Sequence, residues 1–181
     1  MIDSFWGNIF KGKGGESSAL DSILKKTPIF QDLNNKELPK IEKMLHERLF
    51  DKGERVFYQG DAGVGLYIII EGKVNIVYEP TGQVLAGLVS GEIFGEIALI
   101  NESPRSASAY ADEKTRMMFF SQADLNNLLE REPILGSKIL MQLSRIIGER
   151  LMSSNKQIQQ LGEEVELLKK AQVKLSQESG A

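Results

Sequence analysis

Short apolar runs separated by glycine-containing turns fill the middle of the chain, from about residue 50 to residue 121. The run ERVFYQGD predicts one short strand, and the pair SASAYA and RMMFFS predicts two more. The segment GLYIIIEGKVNIVYEPTGQVLAGLVSGE predicts three strands, with hairpin turns at Glu71-Gly72 and at Pro80-Thr81-Gly82. Strands of this length and spacing are typical of a small β-sandwich or jelly-roll β-barrel.

Helical patterns flank this β region on both sides. The stretches ALDSILKKT (19–27) and NKELPKIEKMLHERL (35–49) each predict a helix, and the second would carry the only histidine, His46. After the β region, Ser121 and Asp124 are spaced as a capping box, and Pro133 is placed to begin a longer helix. We therefore expect a mainly β fold with α-helices: a jelly-roll barrel between N-terminal helices and a long C-terminal helix.

A heptad pattern runs through the last helix for about four repeats. Positions from 147 onward alternate steps of four and three, and Ser154 and Gln172 are the polar exceptions. The apolar members of this seam are Ile147, Leu151, Ile158, Leu161, Val165, Leu168 and Leu175. Because such a stripe is buried only against another helix, the pattern predicts a parallel homodimer.

Residues 1–19 differ from the rest of the chain. Phe5, Trp6, Ile9 and Phe10 would share one side of a short helix, and GKGGESS then reads as a flexible linker. Two interpretations stay open: a tail that docks on its own domain, or a peptide that docks weakly on a membrane or a partner. The predicted domains are residues 1–19, 20–133 for the barrel with its helices, and 134–178 for the long helix.

Composition excludes several function classes. The chain has no cysteine and one histidine, so thiolate metal sites, zinc hydrolases and Ser-His-Asp catalysis lack their residues. Cupin-type enzymes need barrel histidines, whereas His46 is expected outside the barrel. The net charge is −3 without basic clusters, which argues against direct binding of nucleic acid. No long apolar stretch or signal-peptide pattern is present, and we expect a cytoplasmic protein, peripheral to a membrane only through residues 1–19.

The stretch GEIFGEIALINESPRSASA, residues 91–109, carries the chemistry. Gly95 would allow a tight turn into a short helix whose first N–H groups favour an anion. Arg105 adds forked donors suited to phosphate, and Ser106 adds a hydroxyl. Glu96 would repel a phosphate, so it fits a ligand that also offers hydroxyl groups, as a ribose does. The alternative is a surface Arg105 that pairs with Glu96 across a turn.

The whole pattern resembles the phosphate-binding cassette of the cyclic nucleotide-binding domain family, and the resemblance covers about residues 28–160. It implies that Glu96 binds the ribose 2′-hydroxyl and that Arg105 binds the cyclic phosphate. Further implied contacts are backbone N–H groups near Ile97, Ala98, Ser106 and Ala107, a pocket wall of Ile76, Leu85 and Ala86, and base contacts from Ser154 and Asn155. The long helix is similar to the dimer helix of catabolite-activator-like members.

The chain departs from those members after this helix. GEEVELLKKAQVKLSQESGA continues the coiled coil without a helix-turn-helix, so we expect a stand-alone sensor with no enzymatic activity and no cofactor. Its ligand would be cyclic AMP in preference to cyclic GMP, and it would signal to an unidentified protein effector through a ligand-induced shift of the C-terminal helix. The alternative function is a structural dimeric adaptor, anchored through its N-terminal aromatic segment and without a ligand-driven switch.

Overall fold

The computed structural model describes the backbone of residues 15–178 and the side chains of residues 20–170 and 172. The predicted docking residues Phe5, Trp6, Ile9 and Phe10 lie outside the described residues. The described residues form four α-helices: α1 (Gly15–Lys26), α2 (Leu38–Glu42), α3 (Gln122–Arg131) and α4 (Pro133–Glu178). The same part of the chain forms eight strands: β1 (His46–Phe50), β2 (Arg55–Phe57), β3 (Gly65–Glu71), β4 (Lys73–Tyr78), β5 (Gln83–Val89), β6 (Ile93–Phe94), β7 (Ser108–Ala111) and β8 (Thr115–Ser121).

The strands form two four-stranded antiparallel sheets. One has the order β1-β8-β3-β6 and the other the order β2-β7-β4-β5. Residues from both sheets meet in a buried apolar core: Ile69 and Met117 from the first, and Val74 and Ala109 from the second. The expected jelly-roll sandwich, with N-terminal helices before it and a long helix after it, is therefore confirmed.

The first strand corrects the sequence analysis. Residues 35–49 were expected to be one helix, but α2 spans only Leu38–Glu42, and His46 begins β1. The strand pairs along its length with β8, from His46 opposite Phe119 to Phe50 opposite Thr115. This distant partner overrides the local helical preference, as strand pairing often does. His46 therefore belongs to the sandwich, and the argument that placed it outside the barrel was wrong.

The turn at Glu71-Gly72 is the second correction. It was predicted to close a hairpin, yet β3 pairs with β6 and β8 whereas β4 pairs with β5 and β7. The chain thus crosses from one sheet to the other at Gly72, whose φ is 95°. A Cβ there would lie 2.5 Å from Oγ1 of Thr115. The turn at 80–82 does close the predicted hairpin, between β4 and β5.

The helices after the sandwich follow the sequence pattern. The Ser121 hydroxyl accepts a hydrogen bond from the Asp124 N–H, and the Asp124 carboxylate accepts one from the Ser121 N–H, so the predicted capping box opens α3. The long helix α4 begins at Pro133 as expected. One compact unit ends at Leu143 and a second begins at Ser144. No helix in the described part of the chain has the length and hydropathy that crossing a membrane requires.

Five residues of the heptad seam lie exposed on the second unit. Leu151, Ile158, Leu161, Val165 and Leu168 each leave about half or more of their surface open to solvent. Isolated apolar residues on a surface are ordinary, but a regular stripe at heptad spacing is typical of a helix that packs against a partner helix. The exposed seam supports the predicted homodimer, which stays a prediction.

Candidate functional site

The site is built around a glycine that turns the chain out of β6. Gly95 has a φ of 72°, in the left-handed region, and a short 3₁₀ helix, Glu96–Leu99, follows at once. A residue with a Cβ is strained in this backbone conformation. A Cβ at position 95 would also lie 2.4 Å from Nη1 of Arg105. The local sequence F-G-E therefore lets the arginine approach the backbone closely.

Arg105 lies in a pocket of backbone oxygens and an aromatic ring. Its Nη1 donates to the Gly95 carbonyl oxygen at 3.1 Å, and its Nη2 donates to the Gly65 carbonyl oxygen at 2.9 Å. The Cζ atom lies 4.1 Å from the centroid of the Phe57 ring. The remaining nitrogen, Nε, is buried and has no hydrogen-bond partner. A buried donor without a partner is uncommon, and it is a ready contact for a ligand acceptor.

The charge of Arg105 is poorly compensated for a buried cation. Only 8% of the residue is exposed, and no ion pair joins it to a carboxylate among the described residues. Burial lowers the pKa of Arg105, whereas the charges of Tyr67, Glu96 and Asp61 raise it. Arginine stays protonated in proteins even so. A buried guanidinium held mainly by neutral dipoles favours an anion beside it.

Glu96 is the second buried charged residue of this region, with 7% of its surface exposed. It is the first residue of the 3₁₀ helix, directly after Gly95. Its carboxylate is close enough to Arg105 to raise the pKa of the guanidinium. The two side chains therefore lie near one another and are both buried. Because both residues are buried, the alternative of a surface Arg105 is wrong.

The loop between β2 and β3 holds the arginine segment in place. The N–H of Arg105 donates to the Asp61 carbonyl oxygen at 2.9 Å, and the N–H of Gly60 donates to the Arg105 carbonyl oxygen at 2.8 Å. A β-bridge joins Ala62 to Pro104. Arg105 is thus fixed by its backbone as well as by its side chain.

Two residues of the expected pocket wall, Ile76 and Ala86, lie on the same sheet face as Phe57. Across the second sheet, Phe57 pairs with Ala109, Ala109 pairs with Ile76, and Ile76 pairs with Ala86. Directly paired residues point to the same face of a sheet, and this face carries the core residue Ala109. Ile76 therefore lies two strands from Phe57, roughly 10 Å away at the usual strand spacing. Leu85 lies at the register shift of β5 and is 54% exposed.

The other residues that the resemblance assigns to the site differ in burial. Ala98 and Ala107 are buried, whereas Ile97 and Ser106 are exposed. The N–H of Ala98 donates to the Gly95 carbonyl oxygen at 3.2 Å. Ser154 and Asn155 are exposed residues of the second compact unit. The roles that the resemblance assigns to these positions stay predictions.

Sequence reasoning missed two groups that hold the arginine. Phe57 was counted as part of a short strand, and Gly65 as the start of another, without any contact to Arg105. A cation–π contact between segments that lie far apart in the sequence has no local signal. The expected residues Gly95, Glu96 and Arg105 are brought together by the fold.

The geometry first defines a class: an eight-stranded sandwich with a buried arginine held at a left-handed glycine turn. Comparison with known proteins then gives the family. The family model described as the cyclic nucleotide-binding domain matches residues 47–132. The Cyclic AMP receptor protein of Thermus thermophilus is 35% identical over 129 residues, which is 70% of this chain and 60% of that protein. A cAMP-dependent protein kinase regulatory subunit of Yarrowia lipolytica is 30% identical over 121 residues, 67% of this chain and 32% of the subunit.

A solved structure supports the same assignment. The crystal structure of the Thermus thermophilus Catabolite Activator Protein superposes with a TM-score of 0.67 and 33% identity, over 75% of this chain and 63% of that one. The chain therefore belongs to the cyclic nucleotide-binding domain family, as the cassette resemblance indicated. It spans less than two thirds of the length of each of these relatives.

Proposed function

We propose that this chain is a sensor that binds one cyclic purine mononucleotide between Glu96 and Arg105. The observation that carries the proposal is the buried Arg105, whose Nε has no partner and whose charge has no paired carboxylate among the described residues. A cyclic phosphate supplies both the missing acceptor and the missing negative charge. A carboxylate at position 96 suits a ligand whose ribose hydroxyl donates to it.

The proposed ligand is cyclic AMP in preference to cyclic GMP. The relatives support this choice, since one is a Cyclic AMP receptor protein and another a cAMP-dependent protein kinase regulatory subunit. In the proposal, backbone N–H groups near Ile97, Ala98, Ser106 and Ala107 assist Arg105 at the phosphate. Ile76, Leu85 and Ala86 line the pocket, and Ser154 and Asn155 contact the base.

The proposed output is a ligand-induced shift of the long helix, read by a protein effector. Residues 20–133 act as the binding domain and residues 134–178 as the dimerisation helix in this proposal. Binding shifts such a switch only to the extent that the ligand prefers one of its two states. The exposed heptad seam on the second unit supports dimerisation through α4.

Isothermal titration calorimetry with cyclic AMP and cyclic GMP tests the binding proposal. We expect Arg105→Ala to weaken binding by about 10- to 100-fold. It removes the charge-assisted hydrogen bond proposed for Nε, which contributes about 1.5–3 kcal/mol, and about 1.4 kcal/mol is a tenfold change in affinity. Arg116→Ala is the matched control, because Arg116 pairs with Glu47 on the other sheet. Wild-type protein that binds neither nucleotide, or equal affinities for Arg105→Ala and wild type, would contradict the proposal.

The role of Glu96 is tested with 2′-deoxy cyclic AMP, which lacks the proposed hydroxyl donor. We expect wild-type protein to bind it about tenfold more weakly than cyclic AMP, because one charge-assisted hydrogen bond is lost. In Glu96→Ala the two nucleotides should bind equally. If Glu96→Ala still discriminates between them as the wild type does, the carboxylate does not contact the ribose.

A further inference from the structure

Phe57 lies directly against the guanidinium of Arg105, a contact that none of the roles assigned above includes. The Cζ atom of Arg105 lies 4.1 Å from the ring centroid, well within the range of a cation–π interaction. Phe57 is the last residue of β2, and its pairing with Ala109 turns its side chain toward the core face of the sheet. The strand therefore brings a flat apolar surface under the charged group.

The ring is itself held in place by neighbouring aromatic side chains. Its centroid lies 5.9 Å from that of Tyr67 and 5.8 Å from that of Phe94. Tyr67 and Phe94 stack on each other at 5.3 Å with an interplanar angle of 13°. Both belong to the opposite sheet, in β3 and β6. Phe57 thus cannot move without repacking a cluster that joins the two sheets, and it offers Arg105 a fixed surface.

The contacts of Arg105 divide its donors into two sets. Its Nη1 and Nη2 each donate to a backbone carbonyl oxygen, of Gly95 and Gly65, and Phe57 covers the plane of the group. Nε is the donor without a partner. These contacts fix the rotation of the guanidinium and leave its Nε edge for an incoming acceptor. Without the ring, the arginine side chain populates more conformations. Only a fraction of the protein then has the conformation that binds phosphate, and the apparent affinity falls by that fraction.

We propose that Phe57 is a positioning residue for phosphate binding: its ring holds the Arg105 guanidinium so that the Nε–H edge faces the cyclic phosphate. The proposal rests on the proposed function, because it assigns Arg105 to the phosphate. It has two consequences that can be measured separately. Phe57 contacts Arg105 in the free protein, and loss of the Phe57 ring lowers the affinity for cyclic nucleotide.

The affinity is tested by calorimetry on Phe57→Leu and Phe50→Leu in the full chain. Phe50 is the matched control, since its ring lies 6.5 Å from that of Tyr67 in the same cluster, and among the described residues Arg105 makes its cation–π contact with Phe57 instead. We expect Phe57→Leu to weaken cyclic AMP and cyclic GMP equally, by about three- to tenfold, the usual cost of ordering one long side chain. The ratio of the two affinities should stay unchanged, because both ligands carry the same phosphate. Phe50→Leu should bind as the wild type does.

The contact itself is tested without ligand by NMR of protein labelled with ¹⁵N-arginine. The Hε proton of Arg105, assigned through Arg105→Lys, should be shifted upfield by the Phe57 ring current in the wild type and in Phe50→Leu. In Phe57→Leu this shift should be lost, while the other arginine signals stay in place and report an intact fold.

The outcomes distinguish a failure of the Phe57 positioning role from a failure of the proposed function. If the wild type binds cyclic nucleotides but Phe57→Leu binds them as tightly, or Phe50→Leu is weakened equally, the positioning role is overturned and the proposed function stands. If the wild type binds neither nucleotide, the proposed function fails and this inference fails with it. An Hε signal that is the same in wild type and Phe57→Leu overturns the contact whatever the affinities are.

Discussion

Gly95 and Arg105 constrain each other through their backbone and side chain. The left-handed φ of 72° at Gly95 turns the chain into the 3₁₀ helix, and the Gly95 carbonyl oxygen accepts from Arg105 Nη1. The same nitrogen lies where a Cβ of residue 95 would be, at 2.4 Å. A side chain at position 95 would therefore strain the backbone and displace the guanidinium at once.

Gly95→Ala should lower both stability and affinity. We expect the free energy of unfolding to fall by about 1–2 kcal/mol, the usual cost of a left-handed residue with a Cβ. The Cβ also displaces Nη1, and with it the guanidinium that binds the phosphate. Loss of one charge-assisted hydrogen bond to the phosphate would weaken cyclic AMP binding by about tenfold or more. Urea unfolding and calorimetry measure the two effects.

Gly82→Ala is the matched control for this prediction. Gly82 also has a positive φ, 68°, but nothing lies within 4 Å of the position that a Cβ would take there. It should therefore lose comparable stability and keep the wild-type affinity. An affinity loss in Gly82→Ala as large as that in Gly95→Ala would show that strain alone, and not displacement of Arg105, weakens binding.

At the residue scale, the sequence predicted the groups that lie close together along the chain. Gly95, Glu96 and Arg105 fall within one short segment, and the whole pattern of that segment resembles a phosphate-binding cassette. Phe57 and Gly65 reach the same arginine from distant segments, and only the pairing of β2 with β7 and of β3 with β6 brings them there. Contacts of that kind depend on register, which a single sequence does not reveal.

Among the elements, α3 shows how a local signal stabilises a helix next to the sandwich. The capping box of Ser121 and Asp124 pairs N–H groups at the start of the helix that would otherwise lack partners. His46 Nε2 of β1 lies 3.4 Å from the Asp124 carboxylate. The cap therefore lies where β1, β8 and α3 meet.

Ser121→Ala should lower the free energy of unfolding by about 1 kcal/mol, because the N-cap acceptor is lost. Ser121→Thr keeps the hydroxyl and should stay close to wild type. Neither change should alter the affinity for cyclic AMP, because only the hydroxyl side chain changes and its hydrogen-bond partner is Asp124. Urea unfolding measures the stability, and an unchanged Ser121→Ala would mean that the cap contributes nothing.

Elements with a local signal were predicted well, and elements fixed by distant partners were not. The strands β2 to β5, β7 and β8, the capped α3 and the long α4 all follow from periodicity and turn residues. The strand β1 was assigned to a helix because its apolar spacing is helical, and its pairing with β8 lies far along the chain. The turn at Gly72 looked like a hairpin because turn residues do not specify which sheet the next strand joins.

At the scale of the whole molecule, the exposed seam of α4 should decide the oligomeric state. Leu161, a seam residue, is 59% exposed, and Leu167, one residue before the seam position 168, is 67% exposed. Both are apolar and exposed to a similar extent, but only Leu161 has heptad spacing. They differ, therefore, in the one property that a coiled coil requires.

Leu161→Glu should convert the dimer to a monomer or weaken it strongly, because a charge would be buried in the seam. Leu167→Glu, the control, should stay dimeric. Sedimentation velocity at several protein concentrations measures the masses. A monomeric wild type, or equal behaviour of the two variants, would rule out dimerisation through this seam.

The most direct test of the account is a crystal structure of the chain with cyclic AMP. We predict one nucleotide per chain, with a phosphate oxygen about 2.7–3.2 Å from Arg105 Nε and the ribose 2′-oxygen at hydrogen-bond distance from the Glu96 carboxylate. A nucleotide bound elsewhere, or one whose phosphate makes no contact with Arg105, would contradict the claim that these two buried residues form the binding site.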